Sequence, residues 1–151
     1  MKGARGFQVV RAFEGRDIHL PGRKTGASAG YDIEAAEDAL LLPHGMTMVA
    51  TGLKAYMQQD EVLYLYIRSG LSARHRLMLM NNVGVIDADY YDNPENEGHI
   101  MIAFWNLGTE PFQVEKGMRI AQGVFMKYLI ADEDEAGKGT GRTGGFGSTG
   151  L

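Results

Sequence analysis

The chain has 151 residues, 44% of them hydrophobic, which suits one domain with a buried core. A formal net charge of −4 argues against a dedicated nucleic-acid binder, and the absence of cysteine excludes a disulfide framework and a thiolate metal site. No apolar run approaches the ~18 residues of a membrane span, and no apolar signal region follows Met1 to Gly6, so a cytosolic protein is expected.

The apolar pattern is short and strand-like almost throughout. Phe7 to Phe13 alternates loosely and predicts a first strand. A polar loop from Gly15 to Ser28 leads to a strand over Tyr31 to Ala35, just after Gly30. Leu40 to Leu42, Met46 to Thr51 and Leu53 to Met57 predict short strands broken by Pro43, Gly45 and Gly52. Val62 to Ile67 is apolar at both parities, the signature of a strand covered on both faces. Leu71 to His75 suits one turn of helix.

Leu77 to Met80 predicts a strand that leads into Gly84 to Tyr90. There Val83, Val85 and Ile86 give way abruptly to Asp87, Asp89 and Tyr90. In extended backbone Asp87 and Asp89 share one face and Ala88 points to the other. The stretch is open to two readings: a strand ending in an Asp-rich turn, or a carboxylate held rigidly enough to serve as a general base. After a polar loop from Asp92 to Glu97, His99 to Trp105 reads as a second doubly covered strand. Phe112 to Val114 and Ile120 to Ile130 complete the core.

Beyond Ile130 the composition shifts to acids and then to crowded glycines around Arg142 and Phe146. Such a segment cannot bury enough surface to fold alone. The expected architecture is therefore an all-β, jelly-roll-like domain over residues 1–131, with a flexible C-terminal arm over residues 132–151.

Three constellations carry chemistry. Arg68-Ser69-Gly70 follows a buried strand, where a guanidinium, a hydroxyl and a small residue suit an anion; a surface Arg with a Ser helix cap is the plainer alternative. Gly-x-Ser-x-Gly is absent around Ser69, so a hydrolase nucleophile is not expected there. Lys116 to Gln122 is a turn entering a strand, with Gln122 a neutral donor among apolar neighbours. Arg142 to Gly150 reads either as a linker or as an arm whose ring and cation close over a ligand. The histidines, His19, His44, His75 and His99, have no paired metal spacing.

Taken together, Ala29 to Ile33, Arg68 to Ser72, Asn81 to Tyr90, Gly117 to Gln122 and Arg142 to Gly150 resemble, in order, the motifs of the trimeric deoxyuridine triphosphatases. That family has a β-clip jelly roll and hydrolyses dUTP to dUMP and pyrophosphate. The resemblance implies that Asp87 orients and deprotonates the attacking water, and that Tyr90 packs against the deoxyribose. It implies that Asn81, Gly84 and backbone near Met101 read uracil, and that Arg68, Ser69, Gly70 and Gln122 hold the phosphates. Phe146 would cover the base, with Arg142 on the terminal phosphate. Mg²⁺ would bind through phosphate oxygens and water, with Asp32 in the network of its bound waters. A homotrimer with shared sites follows from the same resemblance; the net charge and the short apolar runs are what argue against nucleic-acid and membrane partners.

Some positions depart from the family pattern. Arg142 lies four residues before Phe146 rather than five, Met118 stands where an acid is usual, and Asp92 to Glu97 lengthens the loop after Tyr90. Two competing functions share the scaffold. A deoxycytidine triphosphate deaminase needs a glutamate where this chain has Ala103. A non-catalytic nucleotide-responsive or partner-binding protein is the other; Asp87 and Tyr90 argue against pure binding and leave room for a second, regulatory role.

Overall fold

The computed structural model of the chain describes residues 3–136 and 144–145. It holds twelve strands and one short helix: β1 (Gly6–Val9), β2 (Gly22–Arg23), β3 (Tyr31–Glu34), β4 (Ala39–Leu41), β5 (Met46–Ala50), β6 (Leu53–Tyr56), β7 (Glu61–Ile67), α1 (Ser69–His75), β8 (Leu77–Leu79), β9 (Gly84–Asp87), β10 (Met101–Asn106), β11 (Phe112–Val114) and β12 (Arg119–Lys127). The largest sheet has the order β2-β3-β12-β7-β9. A second sheet runs β5-β10-β8, and β1-β6 and β4-β11 form two-stranded pairs. The pairings are antiparallel, and non-consecutive strands lie side by side, as in a jelly roll.

The core lies between these sheets. Ile33, Leu41, Leu53, Leu63, Leu77, Ile100, Phe104 and Ile120 are each at most 1% exposed, and together they come from seven different strands or their edges. Burial on this scale is the main favourable term that holds the domain together. β-branched and aromatic side chains at alternate positions suit the pleat, which is why the short apolar runs become strands.

Several sequence expectations need correction. Phe7 to Phe13 is not one strand: β1 stops at Val9, and Arg11–Phe13 forms a 3-10 turn that buries Phe13. β10 is not covered on both faces. Its burial alternates strictly, with Ile102, Phe104 and Asn106 inside and Met101, Ala103 and Trp105 on the open face. β12 ends at Lys127, so Tyr128 to Ile130 leave the sheet and are exposed. β7 is covered on both faces only in its first half, since Tyr66 is exposed. Asp87 and Asp89 do not share a face, because the extended backbone ends at Asp87 and Ala88–Tyr90 turn as a 3-10 helix. The turn buries Tyr90 and leaves Asp89 outside.

The helix expected over Leu71 to His75 starts two residues earlier. It ends at Arg76, whose left-handed backbone brings its N–H to the Leu71 and Ser72 carbonyls.

Candidate active site

β9 places the central motif. It pairs with β7 in the register Leu65 to Gly84, Leu63 to Ile86 and Val62 to Asp87. Gly84 is required by this approach, because a Cβ there would lie 2.9 Å from the Leu65 Cβ. Beside this close pairing lies a cavity of about 260 Å³. Asn81, Gly84, Asp87 and Tyr90 line it together with Met101 and Ala103 from the open face of β10. Gly145 of the C-terminal segment is also on the wall, where a Cβ would come within 2.8 Å of the Tyr90 ring. Apolar walls with a few polar groups converging on them are the usual make-up of a small-molecule site.

Tyr90 is fixed at its far end. Its hydroxyl donates to the His99 carbonyl at 2.8 Å and accepts from the Asn96 side-chain amide at 2.8 Å. His99 is held in turn: its Nε2 accepts the Gly52 N–H at 2.9 Å, and its ring packs on Phe13 at 5.1 Å. Burial holds the His99 imidazole below its ordinary pKa, so it stays neutral and able to accept that bond.

The phosphate-type residues gather elsewhere. Gln122 of β12 is registered opposite Asp32 of β3 on one side and Tyr66 of β7 on the other. The Arg68 guanidinium lies 3.3 Å from one Asp32 oxygen, and Arg119 lies 3.4 Å from the other. Ser69 and Gly70 follow at the exposed start of α1. Asp32 thus sits between two cations, an arrangement that pre-forms a positive site around one carboxylate.

Of the residues expected to form the site, the structure gathers Asn81, Gly84, Asp87, Tyr90 and Met101 in one cavity. It gathers Asp32, Arg68, Ser69, Gly70 and Gln122 in a second cluster. Among the described residues, none of the second cluster lines the cavity that holds Asp87. Arg142 and Phe146 lie outside the described residues.

Sequence reading missed Arg119, whose only signal was its place three residues before Gln122 on one strand. It also missed Asn93, Asn96, Lys54 and Glu97, which surround Tyr90 and its loop. Lys54 donates to Asp92 and to Glu97. Burial pulls the Lys54 pKa down, but the bonds to the two carboxylates outweigh it and the net shift is upward. The Lys54 hydrogen bond holds the Glu97 carboxyl below its ordinary range. A lysine in a strand and acids in a loop gave no local hint that they would meet.

The family model described as dUTPase matches residues 16–150. The deoxyuridine 5′-triphosphate nucleotidohydrolase of Lactococcus lactis subsp. lactis (strain IL1403) is 53% identical over 147 residues, which cover 97% of this chain and 98% of the relative. The crystal structure of dUTPase from Streptococcus mutans superposes with a TM-score of 0.80 at 44% identity, covering 84% of this chain and 98% of that one. A point mutant of the dUTPase from phage phi11 of S. aureus shares the fold at 22% identity, with a TM-score of 0.70 over 87% of this chain and 97% of its own; that structure describes the coordination of a structural Mg(II) ion.

Proposed function

The chain belongs to the dUTPase family, and from that membership we propose that it hydrolyses dUTP to dUMP and pyrophosphate by attack of water on the α-phosphorus. The observation that carries the reading is Asp87, held at the end of β9 on the wall of a cavity it shares with Tyr90, Asn81 and Gly84. Asp87 takes a proton from water as the water oxygen bonds to the α-phosphorus. The bond from that phosphorus to the α,β-bridging oxygen breaks, and pyrophosphate leaves with the electron pair. Tyr90 is the wall against C2′ of the sugar. Asn81, Gly84 and the β10 backbone at Met101 read the uracil edge. Arg68, Ser69, Gly70 and Gln122 hold the phosphates, and the geometry around Asp32 adds Arg119 to that group.

The divalent ion in this reading is Mg²⁺. Among the described residues no three His, Asp or Glu side chains converge on one point. Such a donor set fits a hydrated ion carried on the phosphates, with Asp32 reaching it through water. When bound, the ion offsets charge on the triphosphate.

A homotrimer with shared sites accounts for the two separate clusters, because the phosphate group of one copy can then face the Asp87 cavity of another. The open face of the β5-β10-β8 sheet supports an oligomer, since Met46, Met48 and Met80 are 53%, 36% and 49% exposed around Trp105 and Ala103. The arm after Ile130 closes the site in this reading, with Phe146 over the base and Arg142 on the terminal phosphate. Twenty-one extended residues reach on the order of 70 Å, enough to span a neighbouring copy. No helix among the described residues is long and apolar enough to cross a membrane. A cytoplasmic enzyme without nucleic-acid or membrane partners completes the proposal. A deaminase is disfavoured because Ala103 lines the cavity where that chemistry needs an acid.

The test is pyrophosphate release from dUTP against dTTP, dCTP and UTP, with and without Mg²⁺. Release from dUTP alone, dependent on the ion, is expected. Ammonia from dCTP, or no turnover of any nucleotide, would refute the reading.

A further inference from the structure

The segment between Tyr90 and His99 is a loop by composition, yet its amide side chains are bonded inward. Asn93 is 5% exposed, and its Nδ2 donates to the Tyr90 carbonyl and to Asn96 Oδ1, both at 2.8 Å. Asn93 Oδ1 accepts from the Glu95 and Asn96 N–H groups at 3.1 Å. Asn96 Oδ1 also accepts from the Gly98 N–H at 3.1 Å, which leaves its Nδ2 to donate to the Tyr90 hydroxyl. Gly98 has φ +81, and a Cβ there would lie 2.6 Å from the Tyr90 carbonyl, so the loop can double back this tightly only on glycine. Outside the loop, Lys54 clamps Asp92 and Glu97, and Glu97 accepts the Arg11 N–H at 3.1 Å.

We propose that Asn96 is a positioning residue for Tyr90, and that through it the 92–98 loop sets the discrimination between 2′-deoxy and 2′-hydroxy nucleotides. The inference rests on the reading of Tyr90 as the wall against the sugar. Steric exclusion of a single oxygen needs a wall that does not retreat. A buried tyrosine anchored only through its Cβ can tilt enough to admit a hydroxyl. Tyr90 is anchored at both ends: by the 3-10 turn at its backbone, and by the chain Asn96 amide to Tyr90 hydroxyl to His99 carbonyl at its tip. Tilting the ring breaks those bonds. One such bond supports a selectivity factor of about ten.

The decisive variant is Asn96→Asp. It is isosteric and keeps the acceptor that serves Asn93 and Gly98, but it replaces the donor to Tyr90 with a second acceptor. The Tyr90 hydroxyl must then turn its proton toward the carboxylate and away from His99. kcat/KM is measured for dUTP and UTP in the wild-type protein, Asn96→Asp, Tyr90→Phe and the double variant. The dUTP/UTP ratio is expected to fall about tenfold in Asn96→Asp, chiefly through a gain on UTP, and by a similar factor in Tyr90→Phe. The double variant is expected to match Tyr90→Phe alone, because the hydroxyl through which Asn96 acts is already gone. Asn96→Ala takes the place of Asn96→Asp if the carboxylate unfolds the loop, with the same expected ratio. An unchanged ratio, an equal loss on both substrates, or an equal further drop in the Tyr90→Phe background would each overturn the proposal. Failure of the underlying functional reading is distinct: the wild-type protein would then release no pyrophosphate from dUTP, or would not prefer it to UTP.

Discussion

Asp87 and Arg68 lie toward opposite ends of one strand pairing. Asp87 is registered opposite Val62 at one end of β7, whereas Arg68 follows Ile67 at the other end. Six residues at ~3.3 Å each separate the two positions by roughly 20 Å. A base and a phosphate clamp that act on one triphosphate must both come within contact distance of it. At that separation, the proposed site draws the Arg68 cluster from one copy and the Asp87 cavity from another.

That geometry predicts complementation between defective chains. Asp87→Asn and Arg68→Ala are each expected to lose activity as pure oligomers. Co-refolded mixtures should regain a fraction of wild-type pyrophosphate release, because some sites then pair an intact Asp87 with an intact Arg68. No recovery in mixtures shown to be mixed by mass spectrometry would place the whole site within one chain.

Asp87→Asn removes the proton acceptor and leaves the shape of the cavity. Turnover is expected to fall by at least about a hundredfold, the usual contribution of a positioned base. Binding of a non-hydrolysable dUTP analogue, measured by calorimetry, should stay within a few-fold of wild type. Turnover close to wild type would remove Asp87 from the chemistry.

Deleting the residues after Gly139 should leave the strands and their melting temperature unchanged, since every strand of the described fold ends by Lys127. Activity is expected to drop to a small residue through loss of Arg142 and Phe146. Full activity of the truncated chain would refute the closing arm.

Stability should depend on pH in two acid stages. Burial depresses the His99 pKa from its ordinary 6.5, so between the folded and unfolded values the unfolded chain binds more protons. The His99 contribution is therefore complete above about 6.5 and is lost as pH falls from there through the folded value. Glu97, held down by its Lys54 bond, and Glu61, held down by its Arg5 bond, follow below their ordinary 4.5. Lys54 has the opposite sign, since its raised pKa gives stability that is full below 10.5 and lost only as pH rises through the folded value. Thermal melting against pH should show a plateau from about 7 to 10 and a first decline that His99→Gln weakens. A flat profile between pH 7 and 5 would contradict the neutral, bond-accepting His99.

Much of the site was legible locally. The run Val85-Ile86-Asp87 announces a strand that stops at a carboxylate, because side-chain alternation acts over a few residues, whereas site roles for Gly84 and Tyr90 came only from the family resemblance. The strand periodicities of β4 to β9 emerged from the same alternation. The turn after Asp87 was not legible: an extended reading puts Asp87 and Asp89 together, whereas the 3-10 turn swings Tyr90 inward to bury its ring and leaves Asp89 in solvent.

By itself the sequence determined the all-β class, the order of the motifs and the residue types each cluster offers. Only the tertiary structure decided which of them meet. Register between distant strands sets Gln122 beside Asp32, sends Arg68 to the far end from Asp87, and folds Asn96 onto the tip of Tyr90. Those juxtapositions arise from antiparallel pairing and core burial between segments tens of residues apart, and no local pattern encodes them.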